Sequence, residues 1–581
     1  MTSKNALLFG AAVAVMLAAA NGAAAAAPVH HHHKAKKPTY GEAAPPPPPP
    51  AEAAEVNELR SEVQQLKATV EAQAQAQAAL QAQIAQQQSQ VAQVASDNRS
   101  VEARLDSVPQ QILTAVGELP KPKTDKAYYR GVSITFGGFA EAAGIFRSRD
   151  TTADVGSSYQ KIPFASDPAA HTNELLGTAR QSRYTALVEG DIAPDTRAYF
   201  YGEFDFLGAA QTANSNESNS YQLRTRVLYG QLDLDHYGLS LLAGDSWSLA
   251  TQSAKGITPR NEVIPLTIDA QYVPGFVWAR QPQLRLTWHS MDNAWWVAAS
   301  AENPQTTIGS ATAASGVTIT DNQAPTSQFF SGTNYSLNKY PDLIGKVAYE
   351  GVVLGDHNLH AEVFGVVRDF YDRTLVTPTV GSQAQILGLT GGAESNDVWG
   401  GGGGGSLNVG LIPKVLDAQV SVAAGQGLGR YGAGQLSDVT ADATGHLHPI
   451  PETLWLVGGT WHATSMFDLY AYSGAEQETS KEFRYATLTG KVFGYGAGIV
   501  GSNAACAVEG SNASCSPENR AISQTTIGFW HRVYQGTYGR VQWGLQYSFT
   551  ERKTFADATT AGFAPKADDN MVYASFRYYP F

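Results

Sequence analysis

Residues 540–552 read RVQWGLQYSFTER. Val541, Trp543, Leu545, Tyr547 and Phe549 fall on one side of an extended chain, and Arg540, Gln542, Gln546, Ser548, Thr550 and Arg552 on the other. Successive side chains of a strand point to opposite faces, so a period of two is the strand period. The pattern recurs. In RYTALVEGDI (183–192), Tyr184, Ala186, Val188 and Ile192 oppose Arg183, Thr185, Glu189 and Asp191. In RAYFYGEFDF (197–206), Ala198, Phe200, Phe204 and Phe206 oppose Arg197, Tyr199, Tyr201, Glu203 and Asp205. In the terminal NMVYASFRYYPF (570–581), Val572, Ala574, Phe576 and Tyr578 oppose Tyr573, Ser575 and Arg577. A soluble sandwich also hides one apolar face, so length and number decide. These runs approach or exceed the ~9–11 residues a tilted strand needs to cross a bilayer.

Turn lengths add an independent pattern. Short connections stand at APDT (193–196), DHY (235–237), MDN (291–293), GDH (355–357), IPK (412–414), SMF (465–467) and QGT (535–537). Long polar stretches lie between them, at 148–180, 247–275, 303–340 and 474–520. Short turns at one end and long loops at the other mark an outer-membrane barrel. Seven short turns join fourteen strands; a first strand near 132–146 and a last near 570–581 make sixteen. The fold class expected is an all-β transmembrane barrel of about 16 antiparallel strands over residues 131–581, preceded by an α-helical coiled coil. An even count leaves both barrel ends on the periplasmic side.

Upstream, residues 1–27 read as a signal peptide. Lys4 precedes an apolar run from Ala6 to Ala20, too short to span a membrane, and small residues follow. Residues 28–50 form a His/Pro-rich low-complexity spacer. Its four histidines could coordinate metal, but a biased tract or an engineered tag is the plainer reading. No metal and no cofactor are expected. Residues 51–116 carry heptads. Val56, Val63, Val70, Ile84, Val91 and Leu105 mark one seam position and Leu59, Leu66, Leu80, Val94, Val101 and Val108 the other; Gln73, Gln77, Gln87 and Asn98 are polar layers, and Pro109 ends the pattern. β-branched residues at both positions favour three strands, so a homotrimer with its rod in the periplasm is expected. Residues 117–130 read as a linker.

Charged residues are 16% of the chain and the formal net charge is -12. Nucleic-acid binding wants a basic surface, so it is excluded. Cys506 and Cys515, the two cysteines, sit in a loop-like segment and are expected to form one disulfide. WGGGGGGS (399–406) lacks the Gly-Lys-Ser/Thr ending of a phosphate loop and reads as a flexible loop or a close strand approach. Neither a Gly-x-Ser-x-Gly elbow nor a His-Glu-x-x-His helix occurs, and no enzyme is expected.

The water-facing side of a barrel carries the polar partners of the lipid-facing rows. The pore-lining candidates are Arg183, Arg197, Arg285, Arg540 and Arg577, which oppose apolar rows, and Arg224 with Arg226, which share a side. Arg280 disagrees in parity with Arg285 unless Pro282 marks a bulge. Glu189, Asp191, Glu203, Asp205 and Asp233 are candidates for the same lumen. The long stretch 248–276 is lightly charged. It is read either as folded inward, with Lys255 and Arg260 as contacts, or as a surface loop.

Signal peptide, trimer-forming coiled coil and sixteen-strand barrel, in that order, resemble the DcaP-type porins and the wider phosphate-selective porin group. The local resemblance is best at TTIGFWHRVYQGTYGRVQWGLQYSF (525–549) and DNMVYASFRYYPF (569–581). It implies passive diffusion of small hydrophilic, chiefly anionic solutes through a trimer embedded in the lipid of a Gram-negative outer membrane. It also implies that the terminal Phe581 is read by the insertion machinery. The dense lysine ladder of phosphate-selective members is missing. A structural alternative is a tether to peptidoglycan through the rod and the basic KAKK at 34–37.

Overall fold

The computed structural model describes residues 126–208, 222–309, 312–320, 338–353, 355–496, 502–511, 515–559 and 562–581, with Lys67, Gln86, Ser89, Gln93 and Ser96. The chain divides into two units, Met1–Pro120 and Lys121–Phe581. The five isolated residues of the first are helical. The expected signal peptide, spacer and polar or apolar heptad layers lie outside the described residues.

The second unit is one antiparallel barrel. Its strands are β1 (Val132–Arg147), β2 (Glu174–Thr178 continued by Arg183–Ala193), β3 (Thr196–Asp205), β4 (Arg224–Leu234), β5 (Leu239–Trp247), β6 (Arg280–His289), β7 (Trp295–Glu302) and β8 (Asp342–Val353). There follow β9 (His357–Val376), β10 (Gly392–Ile412), β11 (Leu416–Gln426), β12 (Pro451–Thr464), β13 (Phe467–Glu478), β14 (Asn519–Gly536), β15 (Gly539–Thr554) and β16 (Lys566–Tyr579). Each pairs with the next, and β16 returns to β1, from Ala140↔Tyr578 to Arg147↔Met571. Sixteen strands close, with every expected short turn in its place. Closure leaves no free sheet edge, the condition for a sheet to stand in lipid. A short strand, Lys126–Tyr129, at the end of the stretch read as a linker, forms a hairpin with the start of β1.

The faces are inverted relative to a soluble protein. On β15, Gln546, Ser548 and Thr550 are buried while Leu545, Tyr547 and Phe549 are exposed. On β16, Tyr573, Ser575 and Arg577 are buried while Val572, Phe576 and Tyr578 are exposed. A polar interior beneath an apolar exterior suits hydrocarbon outside and water inside.

The glycine run lies mid-strand in β10 and is a close strand approach rather than a loop. A Cβ on Gly402 would stand 2.4 Å from the Ala424 carbonyl oxygen and 2.7 Å from Gly425 Cα. Gly401 has φ +143°, where L side chains are strained.

Among the long connections, 479–518 contains the Cys506–Cys515 disulfide, with Cα atoms 5.0 Å apart. In 427–450, Asp442 organises a turn, accepting from Thr444 N at 2.8 Å, Thr444 Oγ1 at 2.6 Å and His448 Nε2 at 3.1 Å. Burial alone would raise this carboxyl, but the His448 and Thr444 hydrogen bonds outweigh it and hold it at about 2. A carboxylate held below its unfolded value stabilises its loop above the ordinary range near pH ~4, and the contribution is lost as pH falls towards the folded value. A difference infrared spectrum against Asp442→Asn should therefore keep the ionised band at pH 3. Titration at the ordinary carboxylate value would contradict it.

Candidate functional site in the barrel lumen

The connection between β5 and β6, residues 248–279, folds into the barrel as a strap. It carries Leu249, Ile257, Ile268, Val273 and Phe276, all buried. An apolar segment of this kind gains by leaving water, and the barrel interior offers Tyr229, Trp247, Tyr472 and Trp530 to pack against. Its backbone groups must then be satisfied by the walls, and inward polar side chains do this on both sides. Near β7–β10, Glu302 accepts from Leu249 N at 2.8 Å, Lys346 donates to Thr251 O at 2.6 Å, and Glu362 accepts from Ser253 N at 3.3 Å. Across the lumen, Trp530 Nε1 donates to Leu266 O at 2.8 Å, and Glu476 accepts from Gly275 N at 2.7 Å. Asp269 takes the centre. Ser157 N, Ser157 Oγ, Gln271 N and Tyr573 OH donate to it at 3.0, 2.6, 2.8 and 3.2 Å. The strap thus crosses the lumen, with the inward reading of 248–276 the one observed.

Two cavities line the strap. One, of about 420 Å³, is walled by Arg183, Arg532, Arg540 and Arg577 with Phe139, Trp530 and Tyr579, and carries Glu203 and Asp468. The other, of about 910 Å³, holds Asp292, Glu350, Asp356 and Asp417 with Lys255 and Lys414. Opposite signs therefore face the strap from different sectors of the wall.

The sequence candidates are placed as follows. Arg183 meets Glu203 at 3.3 Å, Arg197 meets Asp191 at 2.7 Å, and Arg577 meets Glu141 at 2.9 Å and Gln181 at 3.2 Å. Arg224 grips Asp205 through two bonds of 3.0 and 2.7 Å. Arg226 reaches Glu203 at 2.5 Å, Asp205 at 2.9 Å and the strap's Tyr272 hydroxyl at 3.3 Å. Arg285 is buried and donates to Gln283 at 2.9 Å. Pairing runs through Pro282 without a register break, so no bulge is present there. Arg280 instead stands at the strand end, its guanidinium over the rings of Trp247 and Trp278 at 5.0 and 5.2 Å. Lys255 and Arg260 are exposed on the strap, Arg260 over the Tyr201 ring at 5.5 Å. Of the acidic candidates, Glu189 meets Lys126 at 2.7 Å and Asp233 accepts from Gln231 at 2.6 Å.

Arg224 and Arg226 do share a face, but Arg226 lies in a closed ion-pair network with 2% of its side chain exposed. Arg226→Ala leaves Glu203 and Asp205 under-compensated, a loss of roughly 3–5 kcal/mol for a buried pair. The expected outcome is a lower thermal midpoint together with a reversal potential moved towards cations. An unchanged midpoint and potential would contradict the network.

Sequence reasoning missed the carboxylates that hold the strap: Asp269, Glu302, Glu362 and Glu476. For Glu302 and Glu476 the signal was an acidic residue at inward parity in the last residues of a strand before a long connection.

No protein-family model and no curated protein matches the sequence. Solved structures do. The outer membrane channel DcaP of Acinetobacter baumannii is similar at 16% identity with TM-score 0.52, covering 78% of this chain and 99% of that one. An anion-selective porin from Comamonas acidovorans (10% identity, TM-score 0.38, 77% and 99% covered) and OprB of Pseudomonas putida (9%, 0.39, 76% and 94%) are more distant. The second unit of this chain, from Lys121 onward, therefore has the closed sixteen-strand barrel fold represented by the outer-membrane channel DcaP.

Proposed function

We propose that the protein is an outer-membrane channel for passive diffusion of small hydrophilic, chiefly anionic solutes. One observation carries the reading: inside a barrel whose outer face is apolar, four guanidiniums wall the narrowed lumen beside the strap against three carboxylates, Glu203, Asp468 and the Glu141 paired with Arg577. Low-dielectric walls focus the field of such charges, so counter-ions are concentrated where the passage is narrowest. The heptads of 51–116 support a homotrimer with its coiled coil in the periplasm of a Gram-negative cell. A tether to peptidoglycan would need no charged lumen, which favours the channel. Transport in this reading is passive and involves no catalysis and no cofactor.

The test is swelling of proteoliposomes carrying the full chain. Swelling is expected in isotonic small sugars, and faster with small carboxylate anions than with cations of equal size. Proteoliposomes that swell in none of them would overturn the reading.

A further inference from the structure

We propose that the cavity of about 420 Å³ beside the strap is a subsite for a flat aromatic carboxylate, with Arg540 as the group that takes its carboxylate. The inference rests on the anion-channel reading and names the ligand class for that lumen.

Neighbouring guanidiniums are committed. Arg532 is paired with Asp468, Arg577 with Glu141 and Arg183 with Glu203. Among the described residues, Arg540 has no carboxylate partner. Its Nε–H, like that of Arg183, is buried and meets no acceptor. What holds Arg540 is a ring. It is the register partner of Tyr579, and its guanidinium lies 4.0 Å from that ring's centroid. A guanidinium laid on an aromatic face keeps its in-plane N–H fork for a carboxylate, which it grips bidentately.

That geometry selects the body of the ligand. A carboxylate gripped by the fork lies in the guanidinium plane. In an aryl carboxylate the ring continues in that plane, so the whole molecule extends the layer already begun over Tyr579. A saturated ring is thicker and would leave the layer. Phe139 and Trp530 line the same cavity, with Arg577 over them at 4.7 and 4.4 Å. Apolar faces and in-plane donors thus alternate around a space with ample room for a single ring, and bulk water cannot match both at once.

The experiment uses the full-length protein in planar bilayers with chloride as carrier and three added probes: benzoate, cyclohexanecarboxylate and acetate. Benzoate should halve the chloride current at a concentration at least about tenfold below that of acetate, and clearly below that of cyclohexanecarboxylate. Arg540→Gln should remove the block. Tyr579→Leu, which keeps the charge, should remove the benzoate advantage and leave the acetate effect. An anion-selective channel that treats benzoate and acetate alike would overturn the subsite and leave the channel reading standing. A conducting channel with no anion preference would overturn both.

Discussion

Asp269→Ala should raise single-channel conductance several-fold while the barrel stays assembled. The carboxylate collects four donors from three directions: the first long loop at Ser157, the strap at Gln271, and the wall at Tyr573. Each hydrogen bond to a charged group contributes about 1.5–3 kcal/mol. Without them the middle of the strap keeps only its wall contacts on either side, at Leu266 and Gly275, so it shifts out of the narrowest part of the lumen. The barrel's hydrogen bonds run between strands and do not pass through Asp269, so its resistance to heat in detergent should barely change. Unaltered conductance in a well-assembled variant would show that the strap does not narrow the passage.

Gly402→Val should prevent assembly. A Cβ at this position meets backbone on β11 at 2.4 and 2.7 Å, so no rotamer change relieves the clash. The strands would have to separate, which breaks ladder hydrogen bonds in a medium where each unsatisfied group costs several kcal/mol. Gly365→Ala on neighbouring β9 is the control, since its nearest atom, the Gly402 carbonyl oxygen, would stand 3.8 Å away. Heat-modifiable migration in detergent gels reads both. A folded Gly402→Val barrel would contradict the close approach of β10 and β11.

Strand number, turn positions and the inward parity of Arg183, Arg540 and Arg577 were legible in the sequence. All three follow from a period of two and from short turns, which are local properties. The pairing of Arg224 with Asp205 was not. β3 and β4 are joined by the long stretch 206–223, so no tight turn fixes their register, and only the assembled ladder brings the two residues together. The strap stood between two readings because its charges are few. Its apolar residues Ile257, Ile268, Val273 and Phe276 were the discriminating signal, since a surface loop would leave all four in water. The strand at Lys126–Tyr129 escaped notice because four residues are too few for a period to register.

The most direct test of the account is the reversal potential of the full-length protein in a planar bilayer under a potassium chloride gradient. The basic wall beside the strap predicts a potential of the sign carried by chloride, which weakens in Arg540→Gln. A potential of the potassium sign, or one that ignores Arg540, would contradict the claim that these arginines govern what passes.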